Sequence, residues 1–113
     1  MANSFVNKKV DLTSTAATVL YTVPDASTAI IKSILVSEDS GNADTITVTI
    51  TDTSDAVFSL FKTKAISANA TTELLTAPLV LQQNEVLKVT AATANRLHVV
   101  LSALESKPRE VTT

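Results

Sequence analysis

From Asp44 to Thr51 the chain alternates without a break, with Ile46, Val48 and Ile50 on one parity and Thr45, Thr47, Thr49 and Thr51 on the other. Period-two spacing sends successive side chains to opposite faces of an extended chain. The segment therefore predicts a strand with an aliphatic face toward a core and a threonine ladder on its other side. Asp52, Thr53, Ser54 and Asp55 follow as a turn cluster, and apolar residues resume from Ala56 to Lys62, which predicts a hairpin with a four-residue loop. Upstream, Ala17 to Val23 is a shorter strand stopped by Pro24 and Asp25. Thr28 to Ser37 carries Ile30, Lys32, Ile34 and Val36 on one parity and Ile31, Ser33 and Leu35 on the other. Apolar residues on both faces are expected of a central strand or of one covered by a neighbour.

Downstream, Thr71 to Leu75 and Leu79 to Leu81 flank Pro78, which has no N–H for a ladder bond and so marks an edge or a bend. Asn84 opens a turn, Glu85 to Ala91 predicts a strand, and Arg96 to Leu104 predicts the last, with Leu97, Val99, Leu101 and Ala103 facing one way. No segment has a helical period and no repeat is present. Short strands separated by turn signals at roughly 8 to 12 residues predict an all-β protein. The expected form is a single β-sandwich, jelly-roll or Ig-like, of about eight short antiparallel strands.

The ends break this pattern. Residues 1–9 and 105–113 are polar and charged apart from a few apolar positions, chiefly Phe5, Val6 and Val111. The expectation is one domain over 1–113, with 1–9 and 105–113 as extended arms that order on a neighbouring subunit. Phe5, Val6, Lys8, Lys9 and Val111 are the candidate docking residues, because an aromatic side chain anchors a large contact area with few rotamers to fix.

Composition sharpens the picture. Apolar residues make up 45% of the 113 but aromatics only 4%, with no Trp, so the core must be built from Val, Ile, Leu and Ala. Eighteen threonines reinforce the strand reading, since β-branched side chains fit a pleated surface. The apolar content exceeds what one small core can hide, which predicts self-association. A formal charge of −2 without runs of either sign gives no basis for nucleic acid as a partner. No window of about 18 apolar residues suggests a membrane span, and Met1 to Val10 lacks the apolar stretch of a secretion signal, so a soluble product made in the cytoplasm is expected.

Candidate chemistry is sparse. The chain has no Cys, which removes disulfides, thiolate ligands and thiol nucleophiles, and His98 is the one histidine. It lies mid-strand between Leu97 and Val99, where a solvent-facing or interface role is expected over a catalytic base. A zinc site needs three or four N or S ligands, and one His cannot supply them. The loop Glu38, Asp39, Ser40, Gly41, Asn42, Ala43, Asp44 gathers hard oxygen donors suited to calcium, but its glycine spacing does not fit an EF-hand and acidic turn formers account for it more simply. Asn69, Ala70, Thr71 spell a glycosylation sequon that, without a secretion signal, is read as chance. No cofactor and no catalytic residue is expected.

Asn3, Ser4, Phe5; Thr13 to Tyr21 leading into Thr22, Val23, Pro24; and Ala29, Ile30, Ile31, Lys32, Ser33, Ile34 follow one another in an order that resembles small virion proteins encoded by tailed bacteriophages. The likeness continues through Ile46, Val48 and Ile50, through Leu79, Val80, Leu81 into Glu85, Val86, Leu87, Lys88, Val89, and to a closing Leu101, Ser102, Ala103, Leu104, Glu105. It covers nearly the whole chain and is carried by strand and turn patterns. The chain departs from it in having a single glycine and a charged tail beyond Glu105. The resemblance implies a non-enzymatic virion protein, a capsid decoration or cement subunit on the outer head surface. Such a subunit would be a homotrimer docked on the major capsid protein or other virion proteins, and located in the virion after synthesis in the host cytoplasm. A tail, neck or fibre adaptor is the second expectation. A carbohydrate or host-receptor module is the rival from another class, and such sites usually offer an exposed Trp or Tyr.

Overall fold

The structure, a computed structural model, describes residues 2–107, which form nine strands and no helix. They are β1 (Ala2–Asp11), β2 (Thr18–Thr22), β3 (Thr28–Glu38), β4 (Asp44–Thr51), β5 (Val57–Ile66), β6 (Thr71–Glu73), β7 (Leu79–Leu81), β8 (Val86–Ala91) and β9 (Leu97–Lys107). Every ladder is antiparallel. One sheet runs β1-β9-β3, with β6 and β7 sharing the far side of β3, and the other runs β2-β8-β4-β5. β6 pairs with Leu35 to Ser37 and β7 with Ala29 to Ile31, so they are two halves of one strand position interrupted before Pro78.

Counting those halves together, the chain crosses between sheets at every connection except the β4–β5 hairpin. An Ig-like sandwich keeps several consecutive strand pairs within one sheet, whereas a jelly roll crosses repeatedly. The protein is therefore an all-β sandwich with the jelly-roll strand order.

The core is aliphatic, as the composition requires. Ala29, Ile31, Ile34 and Val36 of β3 and Leu97, Val99, Leu101 and Ala103 of β9 face Ile46 and Val48 of β4 and Leu87, Val89 and Ala91 of β8. The inward set of β9 is the one its alternation predicts. In β4 the alternation holds for Ile46 and Val48, but Ile50 is only partly buried, and the threonines between them are half-buried rather than exposed.

β3 corrects the parity expected of it. Its register shifts between Ile31 and Ser33, so the inward side changes from Ala29 and Ile31 to Ile34 and Val36, and exposed Lys32 occupies the irregularity. A bulge inserts one residue and rephases everything after it. Much of the apparent two-faced apolarity of this strand is one buried face written in two phases. β2 has the same device between Val19 and Tyr21, which buries adjacent Leu20 and Tyr21.

The ends also differ from expectation. Residues 2–9, expected as an arm, belong to β1, which pairs with β9 without a register shift from Ala2 opposite Lys107 to Asp11 opposite His98. Residues 105–107 likewise continue β9. The weak pattern of β1 is that of an edge strand: Val6 and Val10 pack against the core while Asn3, Phe5, Asn7 and Lys9 stay exposed. The remaining residues of the expected C-terminal arm, with Val111, lie outside the described residues.

One glycine serves nine strands because asparagine takes over its conformational role. Asn69, Asn84 and Asn95 adopt φ of 57°, 64° and 66°, and Asp55 adopts 65°. These are the non-glycine residues that enter the left-handed region most readily, since a short polar side chain can bond locally. Thr63, at φ 49°, is β-branched and sits where β5 bulges against β4; its N–H donates to Thr47 Oγ1 at 3.1 Å.

Truncating fully buried Leu101 to Ala should cost about 2 to 5 kcal/mol in urea denaturation, against under about 1 kcal/mol for Thr49→Ala. Deleting residues 2–9 should lower the unfolding midpoint, because it bares one edge of β9 and uncovers the flank of the core beneath Val6. An unchanged midpoint would show that β1 adds nothing to the fold.

Candidate functional site

At one end of the sandwich the loop after β3 folds over its own first residue. Glu38 is only 2% exposed. Its carboxylate accepts from Ser40 N at 2.8 Å, Gly41 N at 3.1 Å and Asn69 N at 3.0 Å, and from the Ser40 hydroxyl. Burial pushes this carboxyl up, but the Ser40 hydroxyl and the three backbone donors outweigh it and hold it at about 2. Gly41, at φ 83°, makes the turn that aims two of those donors inward. Asp44, also buried, accepts from Thr93 N at 3.1 Å through Oδ2. Key oxygens that made this loop a calcium candidate are thus engaged in closing it, and among the described residues no group of three His, Asp or Glu side chains converges as a metal site.

His98 lies beside this loop on the outer face of the first sheet. Its Nε2 is 3.2 Å from Asp11 Oδ1 and its Nδ1 is 3.5 Å from Asp39 Oδ2, and all three side chains are substantially exposed. The arrangement links the end of β1 to the loop after β3. At the opposite end, the buried Tyr21 hydroxyl donates to Glu105 Oε2 at 2.5 Å. Burial, this bond and the charge of Glu105 push the phenol above its ordinary range.

The remaining features are apolar, a row across the outer face of the first sheet and a groove on one flank. Among the described residues Phe5 is the most exposed large apolar side chain, at 81%. Register places it opposite Leu104, Leu104 opposite Ile30, and Ile30 opposite Val80, which is 52% exposed. Directly opposed residues share a face, so these four form a row across β1, β9, β3 and β7 on the outside of the sheet. On the far flank, a groove of about 300 Å³ opens between β5 and the link from β6 to β7, lined by Leu60, Phe61, Leu74, Leu75, Pro78 and Leu79. Val57 and Phe58 of β5 are exposed nearby.

The predicted docking residues within β1 therefore do not share one face. Phe5 and Lys9 occupy the outer face of β1, whereas Val6 turns inward onto the core and exposed Lys8 shares its parity. The groove was not foreseen, because its walls come from segments that the sequence separates and only the two-sheet arrangement brings together.

One comparison bears on the architecture. The chain is similar to a solved Bacillus structure described as "Bacillus endospore appendages form a novel family of disulfide-linked pili". The TM-score is 0.54 at 11% identity, covering 96% of this chain and 93% of that one. At that identity the likeness is one of fold. No protein-family model matches the chain, and no curated protein does.

Glu38 gives a pH test. Its folded value, about 2, lies below the ordinary 4.5. Its contribution is therefore present above about pH 4.5 and lost as pH falls toward 2. Glu38→Gln should lower the thermal midpoint at pH 7, and the gap from wild type should close as pH drops through that window. A gap that stayed constant would mean the charge of Glu38 is not what closes the loop.

Proposed function

We propose that this protein is a non-enzymatic structural subunit that packs against copies of itself, and that its place is a tailed-phage particle. Within the particle we favour a capsid decoration or cement role on the outer head surface, as a homotrimer seated on the major capsid protein. The observation that carries the structural reading is the apolar row ending at Phe5, together with the apolar groove on the far flank. A small domain that stood alone would have little reason to keep a phenyl ring 81% exposed on an edge strand. Jelly rolls are a common architecture of viral capsid proteins, which is an argument by analogy of fold. The phage assignment itself is supported by the resemblance of the segment order.

The pilus fold likeness supports the coarser part of this reading, a structural subunit that assembles with itself. With no Cys among its 113 residues, this chain cannot form the disulfides named for that pilus. The tail or neck adaptor is the second reading, favoured by one observation: apolar surfaces on opposite flanks suit stacking in a row as well as closure in a ring. A carbohydrate module gains little support, because the single tyrosine is buried and bonded to Glu105 rather than offered as a stacking platform.

Quantitative mass spectrometry of purified particles tests the location. Copy number comparable to that of the major capsid protein is expected for a head decoration. A handful of copies would move the protein to the tail, and its absence from particles would overturn the virion assignment.

A further inference from the structure

We propose that copies of this chain join head to tail, with Phe5 of one copy seated in the groove between β5 and the β6–β7 link of the next. This rests on the self-association proposed above and names its contact. Knob and hole are both present on the molecule. Phe5 stands out at 81% exposure, and seven of the eight residues lining the groove of about 300 Å³ are apolar. They lie on opposite flanks, because β1 and β2 end the two sheets on one side while β5 and the β6–β7 strand position end them on the other. A contact between unlike surfaces of identical copies is heterologous, so it generates a ring when the rotation closes and a row when it does not. A ring of three would meet the trimer reading.

Among the described edge strands, β1 alone is long and free of register shifts. β2 and β5 are bulged, and β6 and β7 have three residues each. Regular edges with unpaired N–H and C=O groups are the ones that accept another strand. The edge of β5 is bulged at Leu60, so the proposed contact is one of side chains and not a continued ladder. Charge sets the direction. If an incoming β1 runs antiparallel to β5 with Phe5 beside Leu60, its Lys9 falls beside Ala56, next to Asp55 and the turn that holds Asp52. The parallel direction would instead carry Lys8 and Lys9 toward Lys62 and Lys64 of β5. The first arrangement brings Lys8 and Lys9, with Asp11 beyond them, against two aspartates, and the second brings the same net positive segment against two lysines, so net charge favours the first.

The absence of cysteine makes single-cysteine probes unambiguous. Asn7→Cys places a thiol on the outer face of β1 and Thr76→Cys places one on the exposed rim of the groove, leaving Phe5 and the apolar lining of the groove intact. The two variants are mixed in urea, refolded together and treated with a short bis-maleimide. A linked dimer is expected in the mixture and in neither variant alone, and it should disappear when Phe5→Asp is added to the Asn7→Cys chain. Linking of Asn7→Cys chains to one another would overturn the head-to-tail contact while leaving self-association standing. No linked species, with a wild-type chain that sediments as a monomer, would overturn both.

Discussion

The structure depends on β9 being paired along both edges at once. β1 runs along one side and β3 along the other, so nearly every backbone donor and acceptor of an eleven-residue strand is used within the sheet. Its inward face, Leu97 to Ala103, forms the middle of an aliphatic core that has no tryptophan to fill space. Such a core holds by interdigitation of medium-sized side chains, and its density makes each lost methylene count. The polar features sit at the two ends of this strand. Glu38 is paired opposite Leu97, with His98 next to it, and Glu105 receives the hydroxyl of Tyr21. Loop closure at one end and the buried phenol at the other are thus referred to the same ladder.

What the sequence revealed follows the reach of its local patterns. β4 and β9 announce themselves because alternation is unbroken and their buried faces are nearly pure. β3 was legible as a strand but not in its facing, since a bulge at Lys32 changes parity and leaves no local mark beyond one charged residue among aliphatics. β1 was illegible because its partner is some ninety residues away, and an edge strand with two inward valines needs little pattern of its own. The choice of jelly roll over Ig-like sandwich is a matter of which strands cross between sheets, which periodicity does not encode. Glu38 illustrates the same limit at a single residue: its loop reads as acidic turn formers, and the carboxylate does bind Ser40 and Gly41 of that loop, but its donor at Asn69 lies in a distant turn that local composition does not announce.

The apolar surplus that first suggested self-association divides on inspection. Part of it was only apparent, created by reading the bulged β3 as two faces. The rest is real and localised, a row from Phe5 to Val80 on one sheet and a groove where the β6–β7 position is broken. The body of the sandwich is consistent at every level, with matched registers, satisfied buried polar groups among the described residues and turns supplied by asparagine. The places where that consistency lapses are the flanks, where function is expected to reside.

The account turns on whether the exposed flank of β1 is an adhesive surface. Multi-angle light scattering of the isolated protein across a concentration series measures this directly, run beside Phe5→Asp, a substitution on a ring too exposed to support the core. An adhesive β1 gives a mass rising above the 11.9 kDa monomer for the wild type, and a monomer for the variant with its thermal midpoint unchanged. A wild-type chain that remained monomeric throughout, or a variant that assembled equally well, would contradict it.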